Sequence, residues 1–213
     1  MANGRGRFIT LEGGEGAGKS TQIRLLAEHL RARGIEVVTT REPGGSPGGE
    51  AIRALLVSGD TGRWRPLTEA LLHNAARHEH LHAAILPPLE RGAWVLCDRF
   101  ADSTLAYQGW GHQLDLTPLK ALHALAVGDM RPDLTLILDL PPEAGIARTR
   151  GRGGAEDRYE RMDLGFHERL RQGFLAIAAA EPERCAVIDA TQTLEAVQAA
   201  IRDAVARRLG DAA

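Results

Sequence analysis

The sequence predicts a doubly wound α/β fold in which helices cover both faces of a five-stranded parallel sheet. Three observations predict it: short apolar runs rich in β-branched residues, longer helical patterns between them, and a glycine-rich turn after the first run. Runs that are apolar at successive positions are typical of strands buried on both faces. Strands that alternate with helices favour a parallel sheet. At 213 residues the chain suits one domain, residues 1–213.

The individual elements can be assigned in chain order. The predicted strands are Phe8–Glu12, Glu36–Thr40, Trp94–Asp98, Leu134–Leu140 and Cys185–Asp189. The predicted helices are Lys19–Arg33, Gly48–Val57, Leu67–Glu90, Leu116–Val127, Glu143–Arg150, Arg161–Ala180 and Leu194–Leu209. Gly34 and Gly128 suit helix C-termini. The segments Pro43–Gly49 and Arg148–Arg161 interrupt the regular order, and such interruptions often carry function.

Composition and charge exclude several classes of partner. The formal net charge of −2 gives no electrostatic reason to expect nucleic acid or a membrane surface, and aromatic residues make up only 4%. The first residues lack the apolar region of a signal peptide, and we find no apolar run of membrane-spanning length. Cys97 and Cys185 lie in strand-like runs and are expected to be reduced core residues. We therefore expect a cytoplasmic protein.

A phosphate-binding loop is predicted directly after the first strand. Its residues fit G-x-x-x-x-G-K-[ST] and run from strand to amphipathic helix as Gly13-Gly14-Glu15-Gly16-Ala17-Gly18-Lys19-Ser20-Thr21. Backbone N–H groups of such a loop point at a phosphate, and the helix dipole favours the same anion. Lys19 would reach the β- and γ-phosphates of ATP and Ser20 would ligate Mg²⁺. Lys19 is one of only two lysines in the chain.

Other features separate the possible classes of P-loop protein. The base-reading N-K-x-D motif of GTPases is absent, because the only asparagines are Asn3 and Asn74. A Glu directly after a strand-ending Asp, typical of ATP-driven motors, is also absent, since Arg99 follows Asp98. Asp98 could order Mg²⁺-bound water, and Arg99 could bind an acceptor phosphate. A small-molecule kinase is favoured, while a kinase for another nucleoside monophosphate and an ATPase switch stay open.

Several motifs, taken in order, resemble the bacterial thymidylate kinases over nearly the full chain. They are the P-loop with its acidic Glu15, then Thr40-Arg41-Glu42-Pro43-Gly44-Gly45, then Asp98-Arg99-Phe100 with Ser103-Thr104-Leu105-Ala106-Tyr107-Gln108-Gly109, and then Arg131-Pro132-Asp133-Leu134-Thr135. The resemblance implies transfer of the ATP γ-phosphate to dTMP with Mg²⁺, and a homodimer. It also implies a P-loop kinase fold with a mobile lid, at approximately residues 148–161.

The resemblance also implies roles for individual residues. Arg53 and Arg99 would bind the dTMP phosphate, and Arg77 would hydrogen-bond the thymine edge. Glu15 would serve the deoxyribose hydroxyl or its neighbouring arginines. The remaining dTMP-binding residues would be Glu42, His73, Ser103, Thr104, Tyr107 and Gln108.

The chain departs from the family pattern after Gly109, where Trp110-Gly111-His112 stands, and at two positions of the predicted site. His73 stands where the family usually has a phenylalanine that stacks on thymine, so the base meets a smaller, titratable ring. Gly16 stands where some thymidylate kinases carry a P-loop arginine. The missing positive charge is expected from the arginine-rich lid, and Arg152 and Arg158 are the predicted catalytic residues there.

Overall fold

The computed structural model describes residues 5–149 and 158–210, and its centre is a single five-stranded parallel sheet. The strands are β1 Phe8–Glu12, β2 Val37–Arg41, β3 Trp94–Asp98, β4 Leu134–Asp139 and β5 Cys185–Asp189. Their order across the sheet is β2-β3-β1-β4-β5. Strand order reverses direction beside β1, so the carboxyl ends of β1, β3 and β2 open onto the crevice where ligands bind in such sheets.

Helices surround this sheet. They are α1 Lys19–Ala32, α2 Pro47–Leu56, α3 Pro66–His80, α4 Leu86–Glu90, α5 Ala101–Thr104, α6 Leu116–Val127, α7 Pro142–Thr149, α8 Leu164–Ala180 and α9 Leu194–Leu209. Several begin at a side-chain cap: Ser46, Asp163 and Thr193 each accept from the backbone N–H three residues on. In the described part of the chain, no helix is both long enough and apolar enough to cross a bilayer.

The buried core lies on both faces of the sheet. On one face Ile9, Leu11, Leu26 and Ile201 belong to an apolar cluster formed with α1 and α9. On the other face, Phe8, Val95 and Cys97 pack with residues that follow α3, and Tyr107 packs with Phe166 and Phe174 of α8. Both Cys97 and Cys185 are free and buried, as predicted. The strands β1, β3 and β4 are therefore covered on both sides, which explains their nearly continuous apolar sequence, whereas the edge strands β2 and β5 keep exposed residues.

The predicted elements differ most from the structure at three places. The helix predicted over 67–90 is divided, because a π-helical turn, Leu81–Ile85, separates α3 from α4. Pro87 and Pro88 lack the N–H groups that regular helical bonding needs at that point. A second π-helical segment, Leu105–Gly111, continues α5 and was not predicted as an element. Helix α8 begins at Leu164 instead of Arg161, since Asp163 caps it.

Candidate active site

A cavity of about 410 Å³ opens at the carboxyl ends of β1, β2 and β3. The P-loop forms one wall and the segments after β2 and β3 form two others, while α3 closes the side. It is lined by nearly all the residues predicted to bind ligands: Glu15 through Thr21, Glu42, Arg53, His73, Arg77, Asp98, Arg99, Ser103, Thr104, Tyr107 and Gln108. The structure thus brings together residues that lie up to 93 positions apart in the chain.

Lys19 and Ser20 lie where the P-loop enters helix α1. Lys19 Nζ donates to the carbonyl oxygens of Gly13 and Gly14, at 3.2 and 3.0 Å. Burial, followed by the nearby Arg99, lowers the pKa of Lys19. Ser20 Oγ donates to Asp98 Oδ2 at 2.9 Å, so the hydroxyl and carboxylate predicted to hold a metal face each other.

This oxygen pair fits Mg²⁺, which prefers few protein ligands and usually keeps several waters alongside substrate phosphates. Ser20 and Asp98 would hold the ion, and the P-loop amides lie beside them for the phosphates. No cluster of three or more His, Cys, Asp or Glu side chains suited to a metal occurs among residues 5–149 and 158–210.

Gly16 explains why this P-loop carries no arginine. Its φ is 69°, in the left-handed region, and a Cβ at this position would lie 2.3 Å from the carbonyl oxygen of Gly145. Helix α7 therefore packs directly on the loop backbone. A side chain at position 16 would require both a strained φ and displacement of α7.

Arg99 is held at both its backbone and its side chain. Its φ is 72°, which is unusual for a residue with a Cβ, and its N–H donates to Leu11. The N–H of the following residue, Phe100, donates to buried Glu12 at 2.7 Å. Burial raises the pKa of Glu12 to about 7. These two bonds fix the turn that directs the Arg99 guanidinium into the cavity.

The Arg99 side chain holds the Glu15 carboxylate in place within the cavity. Its Nη2 donates to Glu15 Oε1 at 3.0 Å, and its guanidinium lies over the Tyr107 ring, 4.9 Å from the centroid. The Tyr107 hydroxyl also donates to Glu15, at 2.5 Å. Burial alone would raise the pKa of Glu15, but Arg99 and Lys19 outweigh it and hold this pKa at about 2. Glu15 is thus an anion among cations and directly accepts from Arg99, one of its two predicted roles.

Arg77 is a buried residue in the cavity wall, and it contacts four residues that are either predicted site residues or their chain neighbours. Nε donates to Glu42 at 2.8 Å, Nη1 to Asn74 at 3.3 Å, and Nη2 to both the Phe100 carbonyl and Thr104 Oγ1 at 3.0 Å. Burial alone would raise the pKa of Glu42, but the Arg77 guanidinium lowers it below its ordinary value. Arg53 approaches the same turn and donates to the Pro43 carbonyl at 2.7 Å.

His73 lies on α3, and Gln108 lies on the π-helical segment Leu105–Gly111 that faces it. His73 Nε2 is 2.9 Å from the Tyr159 hydroxyl, and burial lowers the pKa of His73 to about 4. Gln108 Nε2 donates to Glu69 at 2.7 Å. Tyr159 was not predicted as a site residue, because it follows the glycine-rich segment without any motif of its own. Arg41 also lines the cavity. It was predicted only as a member of the motif Thr40-Arg41-Glu42-Pro43-Gly44-Gly45 and was given no role of its own.

The predicted catalytic role of Arg158 is wrong for this structure. Its side chain is completely buried and does not line the cavity. It forms an ion pair with buried Glu69 at 2.5 Å and donates to the carbonyl oxygens of Leu56, Asp60 and Thr61. A guanidinium bound in this way fixes the connection between α2 and α3 instead of contacting a phosphate.

The rest of the predicted lid can be placed only in part. Arg152 and the predicted lid residues 150–157 lie outside the described residues. Arg148, at the end of α7, lies next to the P-loop, with Nη1 3.5 Å from the Gly16 carbonyl oxygen and 3.4 Å from that of Ala190. The lid and the role of Arg152 stay predictions.

The chain is similar to known proteins over nearly its full length. The family model for thymidylate kinase matches residues 11–201. A thymidylate kinase of Caulobacter vibrioides is 59% identical over 206 residues, covering 97% of this chain and 99% of that protein. One of Alkalilimnicola ehrlichii is 54% identical over 202 residues, covering 95% and 93%. The crystal structure of thymidylate kinase from Ehrlichia chaffeensis superposes with a TM-score of 0.77 at 36% identity, covering 94% and 98%.

Proposed function

The chain belongs to the thymidylate kinase family and is a nucleoside monophosphate kinase that phosphorylates dTMP; on that premise we propose which residues carry the transfer. The bond between the γ-phosphorus and its bridging oxygen in ATP breaks, and a bond forms to a phosphate oxygen of dTMP. ADP and dTDP are the products. Because the transferred group is highly charged throughout, catalysis rests on position and on electrostatic stabilisation. The single observation that carries the proposal is the convergence of the P-loop, Arg99 and Arg77 on one cavity.

On the donor side, the P-loop backbone and Lys19 bind the phosphates of ATP. In the described structure the Lys19 ammonium donates to carbonyl oxygens of its own loop, and it would exchange these for β- and γ-phosphate oxygens. Mg²⁺, held by Ser20 and Asp98, would neutralise charge on the same phosphates.

On the acceptor side, Arg99 and Arg53 bind the dTMP phosphate. Arg99 is fixed by Glu15, Gly13 and Ser103, so its planar guanidinium is preorganised for a second, bidentate partner. Two cations there offset the repulsion between acceptor and donor phosphates. Glu15 and the Tyr107 hydroxyl bound to it face the deoxyribose.

Arg77 reads the base. A guanidinium has five N–H groups, and four of those in Arg77 bond to residues within 5–149 and 158–210. The fifth, on Nη1, is available for a carbonyl oxygen of thymine. His73, Thr104 and Gln108 line the same part of the cavity.

The proposal extends to assembly and location. We propose a homodimer, supported by exposed leucines on α2, α3 and α6, which lie side by side. We also propose that the enzyme acts in the cytoplasm, where reduced cysteines such as buried Cys97 and Cys185 are usual.

Phosphoryl transfer measured against a panel of monophosphates tests the proposed function. We expect dTMP to be preferred over dUMP by a modest factor, because one methyl group in an apolar pocket contributes only about 1–3 kcal/mol. Purine monophosphates should be far poorer acceptors. A preference for AMP or GMP would contradict the roles proposed for Arg77 and His73.

The Lys19→Ala variant tests the donor side in the same assay. Lys19 acts on charge that develops during transfer. Its loss should therefore raise the barrier by several kcal/mol and lower kcat by about 10²-fold or more, with little loss of stability. Lys120→Ala is the matched control, because Lys120 is exposed on α6 and is the only other lysine. Near-normal turnover by a folded Lys19→Ala protein would contradict the P-loop mechanism.

A further inference from the structure

We propose that His80 is a positioning residue for nucleoside recognition, which links the turn after β2 to the Arg77 guanidinium through Glu42 and Thr40. The inference rests on the proposed function, because it concerns how the dTMP site is held in shape. His80 ends α3 and does not line the cavity. Any effect that it has on the acceptor must therefore pass through other residues.

The His80 ring is completely buried, and both of its nitrogens have partners. Nδ1 lies 3.0 Å from Glu42 Oε1, and Nε2 lies 2.6 Å from Thr40 Oγ1. Glu42 uses its other oxygen, Oε2, to accept from Arg77 Nε at 2.8 Å. One carboxylate therefore joins the imidazole to the guanidinium.

The direction of these bonds follows from the chemistry of the groups. An ionised carboxylate only accepts, so Nδ1 of His80 must carry a proton and donate to Glu42. The Thr40 hydroxyl can donate to Nε2 or accept from it, and it is the partner at that position in both cases. Thr40 thereby fixes the rotation of the ring, and the ring fixes the Glu42 carboxylate.

The glycine turn after β2 packs directly against this chain of bonds. Gly45 has a φ of 76°, and a Cβ there would lie 2.4 Å from His80 Nε2 and 2.5 Å from Thr40 Oγ1. The first, third and last residues of Thr40-Arg41-Glu42-Pro43-Gly44-Gly45 thus all meet at His80. This contact gives a physical reason for a motif that the sequence reveals only as a pattern.

The consequence for recognition concerns the position of Arg77. With Glu42 fixed on one side and Thr104 and Phe100 on the other, the guanidinium has one orientation toward the cavity. If Glu42 could rotate, Arg77 would lose its Nε partner, and the N–H proposed to read the base would no longer be held in place. Weak acceptor binding is the expected result, with the ATP site unaffected.

Thr40→Val tests this inference, because the substitution hardly changes the volume of the side chain. It removes the hydroxyl bound to His80, and we expect the KM for dTMP to rise about threefold to tenfold while kcat and the KM for ATP change little. Thr40→Ser, which keeps the hydroxyl, should restore the wild-type KM. Thr39→Val, on the exposed side of the same strand, is the matched control and should behave as wild type.

A pair of His80 variants tests the other bond. His80→Asn keeps a donor near the position of Nδ1 and should bind dTMP better than His80→Leu, which leaves the buried Glu42 oxygen without this donor. We expect His80→Leu to raise the KM for dTMP by about 10–100-fold, with melting temperatures measured to separate folding from binding. Equal dTMP KM values for wild type and Thr40→Val would overturn the inference.

Nitrogen-15 NMR of the unsubstituted enzyme keeps the test decisive if the His80 variants fail to fold. We expect a proton on Nδ1 of His80 and a ring signal that shifts in Thr40→Val; a ring protonated on Nε2 alone would overturn the inference. If the unsubstituted enzyme does not phosphorylate dTMP, the proposed function fails. If it does so and its KM is insensitive to Thr40, only the positioning role fails.

Discussion

His73 combines a cavity position with a bond to Tyr159, and its surroundings determine when the imidazole takes up a proton. Burial lowers its pKa to about 4, with Arg77 and Arg158 adding to that effect and Glu69 opposing it. Since the ordinary value is about 6.5, the imidazole is neutral throughout the physiological range. The base would therefore meet a neutral ring that is held by a tyrosine hydroxyl.

His73→Phe should change the pH dependence of stability. Between pH 6.5 and about 4 the unfolded chain binds a proton at this residue and the folded chain does not, so the free energy of unfolding falls as pH is lowered. The phenylalanine variant should not show this decrease in the free energy of unfolding. As the pH is lowered from 6.5 to about 4, its stability relative to wild type should therefore rise by about 1–3 kcal/mol. Urea unfolding measured from pH 8 to pH 4 checks this.

The value at pH 8 is the internal control, because neither state is protonated at His73 there and the difference reports packing alone. The same pKa predicts that kcat/KM for dTMP has no inflection near pH 6.5 that depends on His73. An inflection at that pH which disappears in His73→Phe would contradict the neutral ring.

At the scale of elements, the π-helical segment Leu105–Gly111 packs along α8, and glycine permits the contact. A Cβ at Gly173 would lie 2.6–2.8 Å from Cγ, Cβ and Cδ1 of Trp110. Two of these atoms are close to the Trp110 backbone, so rotation of the indole cannot relieve the overlap. The segment that carries Tyr107 and Gln108 is thereby set directly against α8.

Gly173→Ala should therefore destabilise the protein even though alanine favours helices. Overlap in a packed interface costs about 1–3 kcal/mol, while the gain in helix propensity is about 1 kcal/mol. Gly165→Ala is the matched control in the same helix, because its nearest neighbours are the ends of the Asp163 and Arg169 side chains, at 3.2 and 3.4 Å. Thermal melting should show a lower Tm for Gly173→Ala and an equal or higher Tm for Gly165→Ala.

The same elements mark how far the sequence could predict the fold. All five strands were predicted to within one residue at each end, because each is a short run rich in apolar or β-branched residues. The segment Leu105–Gly111 was missed, since Gly109 and Gly111 argue against a helix and its stability comes from packing on α8. Local propensity carries no information about the contact between Trp110 and Gly173, which lie far apart in the chain.

The site shows a similar limit. Residues within motifs were predicted to lie together, and they do line one cavity. Arg158 was assigned to the phosphates because arginines at high density suggest an anion, yet it is paired with Glu69. The charge of a residue can be read from sequence, whereas its partner depends on how α3 packs against the α2–α3 connection. His80 was missed for the same reason.

At the scale of the whole molecule, α2, α3 and α6 form a neighbouring set of helices with apolar residues facing outward. Leu67 and Leu71 follow each other at i, i+4 on α3 and are half exposed, while Leu125 on α6 is 84% exposed. Leu55 adds a further exposed leucine on α2. Helices that pack on one another and share an apolar outer face are typical of a surface that a second copy covers.

Leu71→Glu combined with Leu125→Glu should convert the proposed homodimer into monomers. A stable dimer buries at least about 1,200 Å² in total, and carboxylates at its apolar centre would lose their hydration without gaining a partner. Light scattering after size exclusion should give twice the 23.0 kDa chain mass for wild type and one chain mass for the double variant.

Leu164→Glu with Leu194→Glu, at exposed leucines on α8 and α9, is the matched control and should remain dimeric. A wild-type enzyme of one chain mass at micromolar concentration would contradict the dimer, whereas a dimeric Leu71/Leu125 variant would move its interface to another face.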